Sequence, residues 1–288
     1  LGILDRREVH RMSGEVSSGL LDRLADDVRK RAKRKAQPEW MSPMLATLVH
    51  DPFSDPDWIF ERKLDGERCL AFKKGTSVRL LSRNKEELNA TYPEVADALD
   101  GQEATGFIVD GEVVAFSGNV TSFERLQERM QIREKEEARE SNVAVYYYVF
   151  DVLYAERHDV TSLPLRDRKR ILRGLLSYSD PLRFTSHRNE DGESFFKEAC
   201  RKQWEGLIAK DSAAAYAHSR SRKWLKFKCV NRQEFVVGGY TDPEGERIGF
   251  GALLIGYYGG DALRYAGKVG TGYDEETLEW LGGRLESL

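Results

Sequence analysis

The sequence runs to 288 residues, which at about 150 residues per domain points to two domains. Hydrophobic residues make up 40% and charged residues 32%, and no apolar run approaches the roughly 18 to 20 residues that a membrane helix needs, so a helical membrane protein is excluded. With 45 Lys+Arg against 48 Asp+Glu the net charge is -3, which excludes a uniformly basic nucleic-acid binder and leaves that role to local patches.

The chain starts at Leu1 rather than Met, as a fragment of a longer protein would, and shows no secretory pattern. Residues 1–39 read as a separate basic linker or helix. Leu20, Leu21, Leu24 and Val28 share one face of a helix expected over Ser17 to Lys35, and that helix runs into six basic residues in the seven from Arg29 to Lys35. Such a run serves either as a solvated linker or as a tail that grips phosphates.

Residues 40–230 form the next expected domain. Strands are predicted at Ile59 to Lys63, Cys69 to Lys73, Val78 to Ser82, Phe107 to Phe116, Val143 to Leu153 and Gly206 to Lys210. Helices are predicted near Tyr92 to Leu99, Ser122 to Ile132, Leu165 to Leu176 and Ser194 to Gln203. Strands follow one another without a helix between each, so the fold class is α+β with an antiparallel core. Residues 231–288 read as a third region. Strands are expected at Glu234 to Tyr240, Gly251 to Tyr258 and Leu263 to Val269, with Gly259-Gly260-Asp261 as a hairpin turn and a helix capped by Asp274. Three strands and a helix are the first part of a small barrel, too few to close one.

Cys69, Cys200 and Cys229 are odd in number and far apart, so no disulfide framework or zinc knuckle is expected, and a reducing cytoplasm is the default compartment. There is no HExxH, no metal-spaced His/Cys cluster and no GxxxxGK[ST] loop. Any nucleoside triphosphate must therefore be used without a P-loop.

The informative stretch is Phe60 to Arg68, where a strand delivers Lys63 to a turn made by Asp65-Gly66 and Arg68 follows on the next strand. A lysine nucleophile must shed its proton; from an ordinary pKa near 10.4 that costs about 4 kcal/mol at pH 7.4, so cations or a metal-bound anionic substrate must assist. The rest of the chain supplies such groups. Asp110-Gly111-Glu112 places two carboxylates at an expected strand turn, and Glu205-Gly206 adds a third before a strand ending in Lys210. Lys226 and Lys228 share a strand face with Trp224, and Tyr146-Tyr147-Tyr148-Val149-Phe150 offers rings that can stack on a base. Singly, each has an ordinary structural reading as a hairpin, a solvated turn, a helix exit, sheet core or a charged strand edge. Their order and combination are what chance does not readily produce.

The ordered series Lys63-x-Asp65-Gly66-x-Arg68, Ser82-Arg83-Asn84, Asp110-Gly111-Glu112, Phe150-Asp151, Glu205-Gly206 and Lys226-x-Lys228 resembles that of the covalent nucleotidyltransferases. Within them it is most like the ATP-dependent DNA ligases, in particular the ligase module of the bacterial and archaeal end-joining type. Pro43-Met44-Leu45-Ala46 and Tyr265 to Gly272 support that subgroup. The resemblance covers residues 40–288 and implies an adenylation (nucleotidyltransferase) domain followed by an incomplete OB-fold, which would need five strands to close. It further implies that Lys63 attacks the α-phosphorus of ATP and carries AMP, which passes to the 5′-phosphate of a DNA nick before the 3′-hydroxyl displaces it. Glu61 would contact the adenine amino group, Arg68 and Glu112 the ribose side, Phe150 the adenine face and Arg83 a phosphate. Lys226 and Lys228 would steady the α-phosphate, and Asp65 would support the site near metal and sugar. Glu205, with Asp110 and Glu112, would hold Mg²⁺ or Mn²⁺.

The stretch Ser212 to Gln233 carries six Lys/Arg and no acids. Arg220, Arg222, Lys223 and Arg232, beside Tyr216 and Trp224, are therefore the expected DNA-tracking residues. Nicked double-stranded DNA is the implied partner, with other end-joining proteins as further partners that the resemblance allows; a monomer, without membrane contact, at the cytoplasmic nucleoid is expected. The family's last short motif is missing after residue 288, so impaired self-adenylation is expected. An RNA ligase or mRNA guanylyltransferase shares Lys-x-Asp-Gly and stays open, as does a non-catalytic DNA-end-binding module. An NAD-dependent ligase is disfavoured, because its four-cysteine zinc site cannot be built from three scattered cysteines.

Overall fold

Alternation with a period of two gives the long strands of this protein one face toward a helix layer and one toward a cleft, and two sheets built from them face each other across that cleft. The structure, a computed structural model, describes residues 19–229, 235–245 and 247–287. The chain divides into two units, Leu1–Cys229 and Val230–Leu288. No helix among the described residues is long and apolar enough to cross a membrane.

In the first unit a turn of 3-10 helix (Leu20–Arg23) and α1 (Asp26–Arg29) lead into β1 (Lys33–Arg34) and β2 (Leu45–Leu48). The strands β3 (Asp55–Lys63), β4 (Glu67–Lys74) and β5 (Ser77–Ser82) follow, then α2 (Pro93–Asp100), β6 (Gly106–Ser117), β7 (Val120–Thr121), α3 (Phe123–Met130) and α4 (Lys135–Glu140). After β8 (Val145–Ala155) and β9 (His158–Asp159) come α5 (Leu165–Leu175), β10 (Leu182–Phe184), β11 (His187–Glu190), α6 (Gly192–Arg201), β12 (Gly206–Asp211) and β13 (Arg220–Lys228).

One sheet has eight strands in the order β1-β9-β8-β6-β4-β5, with β10 beside β8 and β7 beside β6. The other has five, in the order β11-β3-β12-β13-β2. The outer face of the larger sheet (Val109, Val113, Tyr147, Val149) packs on Leu99, Leu126, Ile171 and Leu172 of the helices. The outer face of the smaller sheet (Phe60, Leu207, Ala209, Phe227) packs on Phe195 and Ala199 of α6. Between the sheets lies a third apolar cluster with Met44, Leu70, Ile108, Phe150, Tyr216 and Trp224.

Several sequence expectations are corrected. The segment 20–35 is not one helix. Leu21 and Leu24 are buried in the core, the Glu156 carboxylate accepts from the Leu20 and Leu21 amides, and Lys33–Arg34 pairs with His158–Asp159. Tertiary pairing overrides helix propensity here. The basic run is docked at its two ends: Arg29 pairs with Asp22 and Asp26, and Lys35 with Asp159 at 2.6 Å. Lys63 to Gly66 is not a hairpin, because β3 and β4 belong to different sheets. Gly66 is needed for close approach, since a Cβ there would stand 2.1 Å from the Val113 carbonyl. Asp110-Gly111-Glu112 is no turn either. It lies inside the continuous strand β6, at a bulge against β8, and a Cβ on Gly111 would stand 2.4 Å from the Tyr147 ring. Cys200 and Cys229 form a disulfide with Cα atoms 5.3 Å apart, tying the end of α6 to the residue after β13; packing of α6 on the smaller sheet brings together cysteines that spacing alone keeps apart.

The second unit holds β14 (Val236–Tyr240), β15 (Leu253–Gly259), β16 (Ala262–Val269) and α7 (Glu275–Glu286), with the three strands antiparallel in chain order. Gly259 pairs with Ala262 across the turn Gly260-Asp261. The Asp274 carboxylate accepts from the Thr277 amide at 2.9 Å and caps α7. Its core is small: Phe250, Leu253 and Leu278.

Candidate active site

The cleft between the two sheets of the first unit contains a cavity of about 220 Å³. One wall comes from the five-stranded sheet: Glu61 and Lys63 on β3, Ile208 and Lys210 on β12, Trp224 and Lys226 on β13. The register sets Ile208 opposite both Glu61 and Lys226, and Gly206 opposite Lys63, so these residues share a face. The other wall carries Arg68 on β4, Glu112 on β6 and Phe150 on β8. Arg83 and Arg220, both exposed, also line the cavity.

Lys63 ends β3 and its amine forms an ion pair with Glu205. The second Glu205 oxygen takes Lys228 at 3.2 Å. The turn that presents Glu205 depends on Gly206, whose φ is +146° and whose Cβ would stand 1.9 Å from the Phe227 carbonyl. Burial, and then the charges of Lys63, Lys228 and Arg220, push the Lys226 ammonium below its usual range. This cluster of cations is an anion-collecting surface.

Opposite, Arg68 makes a two-pronged ion pair with Asp110, 2.6 Å on each prong, and packs over the Phe150 ring at 4.7 Å. Burial opposes the charged Arg68, but Asp110 outweighs it and holds the guanidinium firmly protonated. Asp110 is fully buried, also accepts from the Tyr216 hydroxyl at 2.6 Å and lies outside the cavity lining, so its carboxylate is turned to Arg68 and Tyr216, which does not favour the metal role expected of it. Tyr216 and Trp224 are buried too, and do not belong to a DNA-facing surface. Glu112 stands opposite Arg68 in the β-ladder. Burial first, then Asp110 and Glu205, push its carboxyl up to about 7 against Arg68 and Lys63. Asp65 lies in the crossover after Lys63; its carboxyl is raised by burial and then by Glu205.

At its inner wall the cavity has a buried charge cluster that sequence reasoning only half found. Glu61 is 2% exposed and pairs with Lys210 at 2.6 Å and with Lys169 of α5. Burial alone would raise the Glu61 carboxyl; Lys169 and Lys210 outweigh it and hold it below the ordinary value. Burial depresses Lys210 despite Glu61. The ammonium of Lys210 lies 4.3 Å from the centre of the Phe150 ring and 4.1 Å from that of Trp224. Lys169 was missed, though α5 carries a signal. Leu165, Arg168, Lys169 and Leu172 lie at i, i+3, i+4 and i+7, which sets two cations on the buried stripe.

Of the expected DNA-facing residues, Arg220 donates to the Ala46 carbonyl at 2.6 Å, Arg222 is exposed, and Lys223 pairs with Asp211 at 2.8 Å. Arg232 lies outside the described residues. Among the described residues no three His, Cys, Asp or Glu side chains gather to cage a metal. Glu112 and Glu205 are two acids close enough to raise one carboxyl, which suits a hard cation held by few protein oxygens and by substrate phosphates.

Comparison with known proteins bears on this geometry. Residues 43–228 match the family described as ATP dependent DNA ligase domain, and residues 246–288 match the ATP dependent DNA ligase C terminal region. The multifunctional non-homologous end joining protein LigD of Pseudomonas aeruginosa is 38% identical over 265 residues, covering 90% of this chain and 31% of that protein. The LigD of Mycolicibacterium smegmatis is 31% identical over 264 residues, covering 90% of this chain and 33% of its own length. This chain thus spans about a third of the length of these relatives. The crystal structure of the ligase domain from M. tuberculosis LigD superposes with a TM-score of 0.56 at 30% identity, covering 86% of this chain and 78% of that one. The α+β architecture, the motif order and these matches agree: the chain belongs to the ATP-dependent DNA ligase family and resembles the ligase module of bacterial LigD proteins.

Proposed function

We propose that this chain is a nick-sealing module that uses Lys63 as its nucleophile. The neutral Lys63 amine attacks the α-phosphorus of ATP, the bond to the leaving pyrophosphate breaks, and AMP stays on Nζ as a phosphoramidate. AMP then moves to the 5′-phosphate at a DNA nick, and the 3′-hydroxyl displaces it to close the strand. The observation that carries this reading is the seat of Lys63. It stands at a cavity with a carboxylate and an aromatic ring (Glu61, Phe150) along its inner wall and cations (Arg83, Arg220, Lys226) along its lining. A nucleobase fits the former and a triphosphate the latter.

Glu205 holds the Lys63 ammonium in place and is the nearest base for its proton. Lys226 and Lys228 take the α-phosphate, Arg83 a second phosphate, and Arg68 with Glu112 the ribose. Asp65 steadies the crossover. A magnesium or manganese ion, when bound, neutralises phosphate charge, with Glu112 and Glu205 as the carboxylates that would hold it. Arg220, Arg222, Lys223 and Arg232 are read as duplex contacts, and the second unit as the three-strand part of an OB-type fold. The end-joining names of the relatives support action beside other end-joining factors, and the chain is read as a monomer at the cytoplasmic nucleoid.

Intact-mass measurement after incubation with ATP and magnesium tests the first step. The expected result is a gain of one AMP, absent in Lys63→Ala, together with sealing of a nicked duplex. An adduct from GTP but not ATP would move the reading to guanylyl transfer, and nick binding with no adduct from either and no sealing of pre-adenylated nicked DNA would make the chain a binding module.

A further inference from the structure

An ammonium group has three donor hydrogens. Lys169 directs its own to three cavity-lining residues from three parts of the chain: the Glu61 carboxylate, the Thr185 carbonyl at 2.8 Å and the Phe150 carbonyl at 3.3 Å. Lys169 is itself 3% exposed and stands behind the cavity on α5, outside its lining. One amine therefore ties together the acceptor carboxylate, the backbone of the aromatic ring and the wall between β10 and β11. The second Glu61 oxygen takes Lys210 at 2.6 Å. A carboxylate oxygen accepts more than one hydrogen bond, so Glu61 keeps acceptor capacity for a donor arriving from inside the cavity.

We propose that Lys169 is the positioning residue for the nucleobase: by fixing Glu61 as a charged acceptor beside the Phe150 ring, it makes the slot select a purine that carries an exocyclic amino donor at that edge. The inference rests on the reading of the cavity as the ATP site. A neutral or displaced Glu61 discriminates less, because a fixed charged acceptor offers its hydrogen bond only to a base that brings the donor to that edge, whereas a loosely held one can turn to another partner. The lowered carboxyl of Glu61 agrees with this assignment.

The test compares ATP with purine riboside 5′-triphosphate, which lacks only the 6-amino group, in wild type, Lys169→Met and Lys169→Arg. Two quantities are read: kcat/KM for covalent adduct formation, and affinity by calorimetry. Wild type is expected to prefer ATP by about ten- to a hundredfold. The preference should collapse toward unity in Lys169→Met, and fall part-way in Lys169→Arg, whose flat guanidinium keeps the charge but not the compact three-way donor. A purely structural lysine would slow both triphosphates equally and leave their ratio at the wild-type value. That result in either folded variant, checked by circular dichroism, overturns the proposal, as does a wild type indifferent to the amino group. Lys169→Arg decides the matter should Lys169→Met not fold. Absence of any adduct in wild type, together with failure to seal pre-adenylated nicked DNA, would count against the ligase reading instead, and the affinity ratios would still decide the role of Lys169.

Discussion

Asp110 is the side chain whose chemistry differs most between sequence and structure. Its charge is matched by Arg68 on both oxygens, and Tyr216 adds a third hydrogen bond. Asp110→Asn leaves a largely buried guanidinium without its counter-charge and should cost about 3–5 kcal/mol. Urea denaturation should show the full loss without magnesium; a metal ligand would show it only in metal-dependent adduct formation. Glu61 gives a pH-dependent counterpart. Its native carboxyl lies below the ordinary 4.5, so its stabilisation is complete above that value and fades as pH falls through the lowered one. Glu61→Gln should therefore be less stable than wild type at neutral pH, and the gap should narrow below pH 4.5, as read from denaturation midpoints. The sequence named Arg68, Asp110 and Glu61 as site residues. It did not show what they touch, because the partners are far along the chain: 42 residues from Arg68 to Asp110 and 108 from Glu61 to Lys169.

At the scale of elements, most strands and helices follow from their patterns, and the helices expected at Leu165 to Leu176 and Ser194 to Gln203 fall within two residues of α5 and α6. What the patterns do not hold is which sheet a strand joins. Asp65-Gly66 has the composition of a hairpin turn, and the same residues serve a crossover because β3 pairs with β11 and β12 while β4 pairs with β5 and β6. The two roles predict different mutational behaviour. Gly66→Ala forces a Cβ to 2.1 Å from the Val113 carbonyl, so backbone must move beside Lys63. It should lose about 1–3 kcal/mol and slow adduct formation. Gly75→Ala, at φ +62° with nothing within 4 Å, bears only the conformational cost, about 1–2 kcal/mol, and should leave adduct formation near wild type. Thermal melts and adduct rates measured side by side separate the two.

For the whole molecule, the two units are unequal. The first has three apolar clusters, whereas the second rests on Phe250, Leu253 and Leu278. Calorimetry should resolve a lower transition for the second unit, sensitive to Leu278→Ala, below the main transition of the first. The Cys200–Cys229 bridge, separated by 29 residues, should stabilise the first unit by on the order of 3–4 kcal/mol through loop closure. A dithiol reductant, or Cys200→Ser, should lower the main transition and leave the smaller one in place. Neither cysteine's spacing announces the pair, since its geometry is created by α6 docking on a sheet whose strands come from both sides of it. The crossover has one more consequence. Among the described residues three links cross between the two sheets, and one of them starts directly after Lys63, so on the proposed reading the gape of the jaws and the aim of the nucleophile are coupled. A substitution anywhere that wedges the sheets apart will misdirect Lys63 before it empties the pocket, and damage to turnover will precede damage to nucleotide affinity.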